Sequence, residues 1–235
     1  MLWQMNSLPQ GYRALVLGAR GAIGAALVAH LRADPRCGQV LGLHRGSTPA
    51  LDFDREDSVE AAAGSLSHQG PFHLVVNAAG VLHAKAFMPE KKLASLHYAQ
   101  LESTFRANTF GPALVLRHFS GLMAPGRSLL VMLSAKVGSI GDNRLGGWYS
   151  YRASKAALNM LVHTAAIELA RTRPGLVVVA LHPGTVQSAL SAPFGGAQTG
   201  RPPAQAAADM LSVLDGLAAA DSGQFLSWNG ERLPW

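Results

Sequence analysis

Short apolar runs alternate along the chain with longer stretches in which apolar residues recur at helical spacing. The runs lie at 12–17, 39–43, 51–54, 72–76, 128–133, 176–181 and 223–228. Short apolar runs bounded by Gly, Pro or Asp are typical of buried strands, and spacings of three and four residues indicate amphipathic helices. Strands that alternate with helices throughout predict an α/β fold, a doubly wound parallel sheet of about seven strands with helices on both faces.

The first strand and the first helix are joined by a turn whose glycines are three residues apart, at 18, 21 and 24. Missing side chains let the backbone approach a pyrophosphate, and the N-terminus of the helix offers free N–H groups. This turn predicts a dinucleotide site of the Rossmann type; the alternative is a tight turn that only allows close helix packing. The candidate cofactor residues here are Gly18, Arg20, Gly21, Ala22, Ile23 and Gly24.

The second strand ends in His44 and Arg45, where a nucleotide-binding unit reads the adenosine ribose. An acidic residue at this point would bind a free 2′-hydroxyl, whereas two arginines, Arg45 and Arg20, favour a 2′-phosphate. We therefore expect NADP(H) and regard NAD(H) as the less favoured cofactor; the alternative is a pair of solvated arginines. Further along, Asp52, next to Phe53, could accept the adenine amino group or cap the following helix.

Polar and small residues follow the next strands and helices. Asn77, Ala78, Ala79 and Gly80 leave room for a flat ligand or for close chain packing. Asn108 lies inside a long helical pattern from 93 to 122, where an amide competes with backbone hydrogen bonds and can hold a kink and a water. Ser134 stands at the carboxyl end of a buried strand, the edge where open α/β sheets bind ligands.

Tyr151 and Lys155 lie one turn apart on a predicted helix from about 149 to 171. A nearby ammonium favours the phenolate, so Tyr151 could exchange protons nearer neutral pH than its ordinary pKa of roughly 10 allows. The pair therefore predicts that Tyr151 is a general acid/base. On the pair alone, the plainer interpretation of a half-buried aromatic beside a surface lysine is the favoured one, and the motifs upstream shift the balance toward chemistry.

Composition narrows the class of protein. A chain of 235 residues with 49% hydrophobic and 14% charged residues is long enough for one well-buried domain over 1–235, with 1–11 expected to fray and 188–203 to act as a substrate lid. Cys37 is alone and no metal-ligand cluster occurs, which favours a cytoplasmic protein without metal. The net charge of +6 is scattered rather than clustered, so we expect a small-anion site and no nucleic-acid or membrane partner.

The order and spacing of these motifs resemble the short-chain dehydrogenase/reductase family from Tyr12 to Trp235. The turn at 18–24 is followed by Asn77 to Gly80, Asn108, Ser134, Tyr151 with Lys155, and then Pro183-Gly184. The segments 138–143, 146–149 and 182–186 look more narrowly like the branch of C-factor-like signalling proteins and sniffer-type carbonyl reductases.

The resemblance implies roles for single residues. Tyr151 would exchange the substrate proton, Lys155 would lower its pKa and bind the nicotinamide ribose, and Asn108 would hold a relay water. The implied cofactor contacts beyond the glycine turn are Asn77, Ala78, Ala79, Gly80, Tyr151, Lys155, Pro183, Gly184, Val186, through its backbone, and Ser188. Long helices around Asn108 and Tyr151 form dimer faces in the family, so a homodimer or homotetramer is expected.

The chain departs from the family pattern at three points. Its glycines follow Gly-x-x-Gly-x-x-Gly spacing, and Leu17 replaces the usual threonine before them. Where the family has a Ser-Ser pair whose second hydroxyl polarises the substrate carbonyl, this chain has Ser134-Ala135. Ser134 could take the role after a local shift, Ser139 could reach in from the loop, or the hydroxyl could be absent.

Two functions follow as hypotheses. The first is an NADP(H)-dependent oxidoreductase acting on a carbonyl/alcohol pair, and the second is a dinucleotide-binding sensor with little turnover. Trp148, three residues before Tyr151, and Phe194 are the candidate pocket residues, with Leu82, His83, Arg144 and Leu190 also placed near the site. This mixed apolar and cationic set fits a medium-sized carbonyl compound, with or without an acidic group.

Overall fold

The computed structural model describes residues 4–84 and 86–235, which form one parallel sheet with helices on both faces. The strand order is β2-β1-β3-β4-β5-β6. The strands are β1 (Tyr12–Leu17), β2 (Cys37–Leu43), β3 (Leu74–Asn77), β4 (Ser128–Leu133), β5 (Leu176–His182) and β6 (Phe225–Ser227). This architecture confirms the doubly wound fold that the alternating pattern predicts.

Seven α-helices connect the strands. They are α1 (Ala22–Ala33), α2 (Glu56–Ser65), α3 (Tyr98–Phe105), α4 (Gly111–Phe119), α5 (Tyr149–Ala170), α6 (Gly196–Thr199) and α7 (Pro203–Gly216) in the described part of the chain. A π-helical turn, Arg106–Phe110, joins α3 to α4. The kink expected around Asn108 is therefore present, and it divides the long helical pattern.

Two apolar layers hold the sheet, because successive side chains of a strand point to opposite faces. Leu15 and Leu17 pack with α2, α4 and α5, whereas Ala14 and Val16 pack with α1 and α7. Strands buried on both faces read as continuous apolar runs, and these runs are the signal that located them in the sequence. The chain crosses from β2 over β1 to β3, and such a switch in strand order opens a ligand crevice at the carboxyl ends of the strands.

Two expectations were wrong. Residues 51–54 form no strand, which is why the described sheet has six strands rather than about seven: Leu51 N donates to His44 O, and Asp52 N donates to Ser58 Oγ. Nor does the segment before β1 fray over residues 4–11, since Met5 and Leu8 are buried in the core and Met5 N donates to Asp34 Oδ2 at 2.9 Å. Residues 1–3 of that segment lie outside the described residues.

Among the described helices, none is both long and apolar enough to cross a membrane. The segment expected to form a lid, 188–203, contains a short 3₁₀ turn, Ala192–Phe194, and α6. Its closure over a ligand stays a prediction.

Candidate active site

A cleft of about 300 Å³ opens at the carboxyl ends of β1 and β2. It brings together half of the residues predicted to bind a dinucleotide, although they come from four separate segments. Its lining includes Gly18, Arg20, Gly21, His44, Arg45, Asp52, Phe53, Ala78, Ala79 and Gly80. Their convergence supports the prediction of a nucleotide site.

The glycine turn has the conformation that close backbone approach requires. Gly18 adopts φ +80°, and a Cβ at this position would lie 2.7 Å from Ala79 N. A Cβ on Gly24 would overlap the Gly18 carbonyl oxygen. Gly21 is the N-cap of α1, so the first N–H groups of the helix, those of Ala22 and Ile23, have no partner inside the helix. The altered glycine spacing therefore still builds a turn that can cradle a pyrophosphate.

The ribose end of the cleft is cationic. Arg20 and Arg45 both line it, and neither makes a salt bridge with any residue that the structure describes. His44 is held in place because its Nδ1 accepts a hydrogen bond from Gly46 N at 2.9 Å. Asp52 does not cap α2, whose N-cap is Arg55; its Oδ1 accepts from Asp54 N instead. The capping alternative for Asp52 is therefore wrong.

Helix α5 places Tyr151 on the wall of a second cavity and Lys155 close to Gly80, which lines the first. Lys155 is only 4% exposed, and its Nζ donates to Leu133 O at 2.9 Å. A Cβ on Gly80, in the cofactor cleft, would stand 3.5 Å from the same Nζ. Since Leu133 O is the one partner of this ammonium among the described residues, further N–H donors remain for a polar ligand. These features fit a nicotinamide ribose.

Burial shifts the two ionisable groups in opposite directions. It raises the pKa of Tyr151 above its ordinary value and lowers the pKa of Lys155 to about 8. The phenol is therefore protonated at neutral pH, which differs from the lowering expected from Lys155. Nζ lies 5.9 Å from the centre of the Tyr151 ring, beside the phenol, yet desolvation outweighs its charge.

Lys155 gives a pH-dependent prediction. Its folded pKa is depressed from 10.5 to about 8, so the unfolded chain binds more protons between these values and the free energy of unfolding rises with pH there. Lys155→Met lacks this titration. Relative to the variant, the wild type should gain on the order of 3 kcal/mol between about pH 7.5 and 10.5. Urea unfolding across that window measures the difference; the exposed control Lys92→Met should follow the wild type, and parallel curves for Lys155→Met would contradict the shift.

Asn108 is fully buried in the π-helical turn, and its amide is already engaged. Oδ1 accepts from Val81 N at 2.9 Å, while Nδ2 donates to Val81 O and to Ser154 Oγ. The side chain thus ties the segment after β3 to α5. A relay water on Asn108 stays a prediction, and both N–H donors of the amide are already used. Asn77 is likewise internal, with Oδ1 accepting from Ala79 N.

The second cavity, of about 520 Å³, lies beside Tyr151. Most pocket residues expected from the sequence line it, namely Leu82, Arg144, Trp148, Leu190 and Phe194; the expected cofactor residues Ile23, Pro183, Gly184, Val186 and Ser188 also reach it. His83 packs against the Phe194 ring instead. Trp148 adopts φ 54°, a left-handed backbone that is uncommon outside glycine, and its ring lies 4.9 Å from that of Phe194. The two aromatic rings form one wall beside Tyr151.

Neither candidate serine presents a free hydroxyl to this cavity. Ser134 lines it, but its Oγ donates to Asn159 Oδ1 at 2.6 Å in the interior. Ser139 Oγ bonds to Trp235 O and Asp142 N and is absent from the cavity wall. Of the alternatives that the Ser134-Ala135 sequence leaves open, the structure supports an absent hydroxyl.

Sequence reasoning missed Glu90. Its buried carboxylate accepts hydrogen bonds from the backbone N and the Oγ of Ser150, in the first turn of α5. A negative charge at a helix N-terminus is stabilising, and this one fixes the start of the helix that carries Tyr151. Glu90 lies sixty residues away in an irregular polar stretch, so no local pattern signals the contact.

The sheet order, the glycine turn and the cleft at the strand switch define a doubly wound, dinucleotide-binding class of α/β protein. Residues 12–198 match the family model described as short chain dehydrogenase. The chain belongs to the short-chain dehydrogenase/reductase family, a family of oxidoreductases.

Two curated relatives are similar over most of the chain. A 1-hydroxy-2-glutathionyl-2-methyl-3-butene dehydrogenase of Rhodococcus sp. is 35% identical over 187 residues, covering 80% of this chain and 79% of the relative. The C-signal protein of Myxococcus xanthus is 36% identical over 168 residues, covering 71% of this chain and 94% of that protein.

Solved structures agree with the fold. The carbonyl reductase Sniffer of D. melanogaster superposes with a TM-score of 0.81 at 22% identity, covering 95% of this chain and 99% of that one. An NADPH-bound carbonyl reductase from chicken fatty liver gives 0.83 at 25% identity, with coverage of 97% and 96%. The chain therefore shares its fold with these carbonyl reductases, and its family makes it an oxidoreductase.

Proposed function

We propose that the protein catalyses NADP(H)-dependent interconversion of a carbonyl and an alcohol, with Tyr151 as the general acid/base. The observation that carries this proposal is the position of one turn of α5. Tyr151 borders the 520 Å³ cavity, and Lys155 reaches the cofactor cleft beneath Gly80. A proton donor on the cavity wall and a cofactor ligand near the cleft thus lie one helical turn apart.

The nicotinamide, when bound, supplies or accepts the hydride. In reduction, the protonated phenol of Tyr151 gives its proton to the oxygen that gains charge, and in oxidation it takes the proton back. Lys155 binds the ribose through the ammonium donors that Leu133 leaves free. Trp148 and Phe194 position the substrate and exclude water from the reacting carbon.

The preference for NADP(H) rests on the guanidinium groups of Arg20 and Arg45 at the ribose end of the cleft, neither of which forms a salt bridge within the described part of the chain. Arginine binds phosphate through two parallel hydrogen bonds, which NAD(H) cannot use because it has a 2′-hydroxyl there. The NADPH-bound carbonyl reductase from chicken fatty liver supports the same choice. His44, Asp52 and Phe53 line the adenosine end of the cleft.

Removing either arginine should therefore weaken one cofactor and not the other. We expect Arg20→Ala and Arg45→Ala each to raise the Kd of NADPH by about 10- to 100-fold, since each loses a hydrogen bond to a charged group worth roughly 1.5–3 kcal/mol, while NADH affinity changes little. Fluorescence titration of the four tryptophans with NADPH and NADH measures both constants.

Arg32→Ala, an exposed change on α1 outside the cleft, is the matched control and should bind both cofactors like the wild type. Equal weakening of NADPH and NADH in Arg20→Ala and Arg45→Ala would contradict a 2′-phosphate site.

A second candidate function is a dinucleotide-binding sensor with low turnover. Ala135 and the engaged hydroxyls of Ser134 and Ser139 favour it, because a missing donor at a developing oxyanion lowers rates on the order of 10²–10³-fold. The similarity to C-signal points the same way. Tight NADPH binding with negligible rates across a broad carbonyl panel would support the sensor, and turnover would support the reductase.

The substrate is a small molecule, and the charge of the cavity suggests its class. Three cationic side chains, Lys136, Arg144 and Arg152, line the cavity together with one carboxylate, Asp142. A carbonyl compound with an acidic group fits this surplus of positive charge, and the Rhodococcus relative is named for a glutathionyl compound.

We also propose a homodimer or homotetramer, because Phe110, beside α4, and Met160 and Ile167 of α5 are exposed.

A further inference from the structure

His182 is the last residue of β5 and lies beside the strand end after which Ala135 replaces the family's second serine. Leu133 pairs with Leu181 in the sheet, so the next residues, Ser134 and His182, stand side by side where the two strands end. Leu181 packs toward α1 and α7, and His182 therefore points to the opposite face, where α5 carries Tyr151. His182, Ala135 and Tyr151 all line the same cavity.

The two ring nitrogens of His182 differ in their surroundings. Nδ1 is enclosed and has no hydrogen-bond partner among the described residues. The residue as a whole is only partly buried and lines the cavity, so the face carrying Nε2 is the one left open. An enclosed N–H without an acceptor costs more than an enclosed lone pair, and a neutral ring therefore carries its proton on Nε2.

The ring is neutral under physiological conditions. Burial, aided by the positive charge of Lys136, lowers the pKa of His182 to about 4. A neutral imidazole is a hydrogen-bond donor through its one N–H, and a neutral donor can polarise a carbonyl without giving up its proton.

We propose that His182 Nε2–H donates a hydrogen bond to the carbonyl oxygen of the substrate and supplies the donor that Ala135 lacks. This inference rests on the proposed reductase function and adds one catalytic residue to it. Two donors near this strand end are otherwise engaged: Ser134 donates to Asn159, and Lys136 pairs with Asp142 at 3.7 Å. Tyr151 gives the proton, while His182 stabilises the charge that develops on the same oxygen.

Two substitutions of similar size separate the hydrogen bond from packing. His182→Gln keeps an N–H donor and His182→Met does not. We expect His182→Met to lower kcat/KM on the order of 10²–10³-fold, as the loss of one oxyanion donor does, and His182→Gln to remain within about tenfold of the wild type. NADPH affinity, from tryptophan fluorescence, should be unchanged in both.

A rescue makes the assay specific. Ala135→Ser on the His182→Met background restores a hydroxyl at the neighbouring strand end, and kcat/KM should recover by roughly tenfold or more. His68→Ala removes an exposed histidine far along the chain and should match the wild type. Equal activity of His182→Met, His182→Gln and the wild type would overturn the role of His182 while leaving the reductase intact; absence of turnover in the wild type would overturn both proposals.

A measurement on the wild type does not depend on the folding of the variants. The ¹⁵N NMR spectrum of histidine-labelled protein, assigned by difference from His182→Gln, should show a neutral His182 ring with its proton on Nε2 from about pH 5.5 to 8. A proton on Nδ1, or a charged ring near pH 6, would overturn the proposal.

Discussion

Tyr151→Phe should lower kcat by about 10²–10⁴-fold, because this is what a positioned general acid/base contributes to a proton transfer. The substitution removes one hydroxyl and keeps the ring, which packs 6.2 Å from Trp148. The measurement is the rate of NADPH oxidation with a carbonyl substrate under saturating conditions, alongside a fluorescence titration of NADPH. The Kd of NADPH should stay near the wild-type value, since the cleft and Lys155 are unchanged.

Tyr149→Phe, two residues earlier and in the same first turn of α5, is the matched control. It makes the same chemical change outside the cavity wall and should leave kcat within about twofold of the wild type. Retained turnover in Tyr151→Phe would show that the proton comes from elsewhere. A loss confined to KM would show that the hydroxyl binds substrate without transferring the proton.

Most of the fold could be predicted from the sequence because every strand except the half-buried β2 is buried on both faces. Apolar runs such as the one in β5 stand out, and the helical spacing between them identifies the crossovers. Residues 51–54 were wrongly predicted to form a strand because they contain apolar residues. They form a loop, in which Leu51 is buried without a partner strand. The burial of Met5 and Leu8 was not predicted, because two apolar residues in an otherwise polar segment are too few to show a periodic pattern.

The location of the site was also predictable, whereas the hydrogen bonds inside it were not. The carboxyl ends of parallel strands lie at one edge of the sheet. Gly18, Arg45 and Gly80 follow three such strands and therefore lie close together. The engagement of Asn108 with Val81, and of Ser134 with Asn159, depends on contacts between distant segments. The sequence predicts that these hydroxyl and amide groups lie near the active site. Only the structure shows that their hydrogen bonds are made to other parts of the protein.

For Tyr151, too, the sequence predicts the neighbouring residue but not the environment that sets the pKa. The four-residue spacing to Lys155 predicts a neighbouring charge, and the lysine is indeed near. Spacing gives no measure of desolvation, which depends on the packing around the phenol and raises its pKa. A protonated Tyr151 suits the reductive direction, in which the side chain must deliver a proton.

The second large effect is expected at Gly18, for which the chain provides its own control. Gly11 and Gly18 flank β1 and have similar backbone angles, with φ +77° and +80°. Alanine at either position pays roughly 1–2 kcal/mol for a left-handed conformation. A Cβ on Gly11 would have no neighbour within 4 Å, whereas on Gly18 it would meet Ala79 N at 2.7 Å and press the turn against the segment 78–80.

Gly11→Ala should therefore lower the free energy of unfolding by about 1–2 kcal/mol and leave NADPH binding unchanged. Gly18→Ala adds an overlap with backbone, typically another 1–3 kcal/mol, and displaces the N–H groups that face the pyrophosphate. Urea unfolding gives the two stabilities, and fluorescence titration should show the Kd of NADPH raised at least about tenfold in Gly18→Ala alone. Equal affinity in the two variants would mean that the pyrophosphate does not lie on this turn, because the strain common to both positions cannot distinguish them.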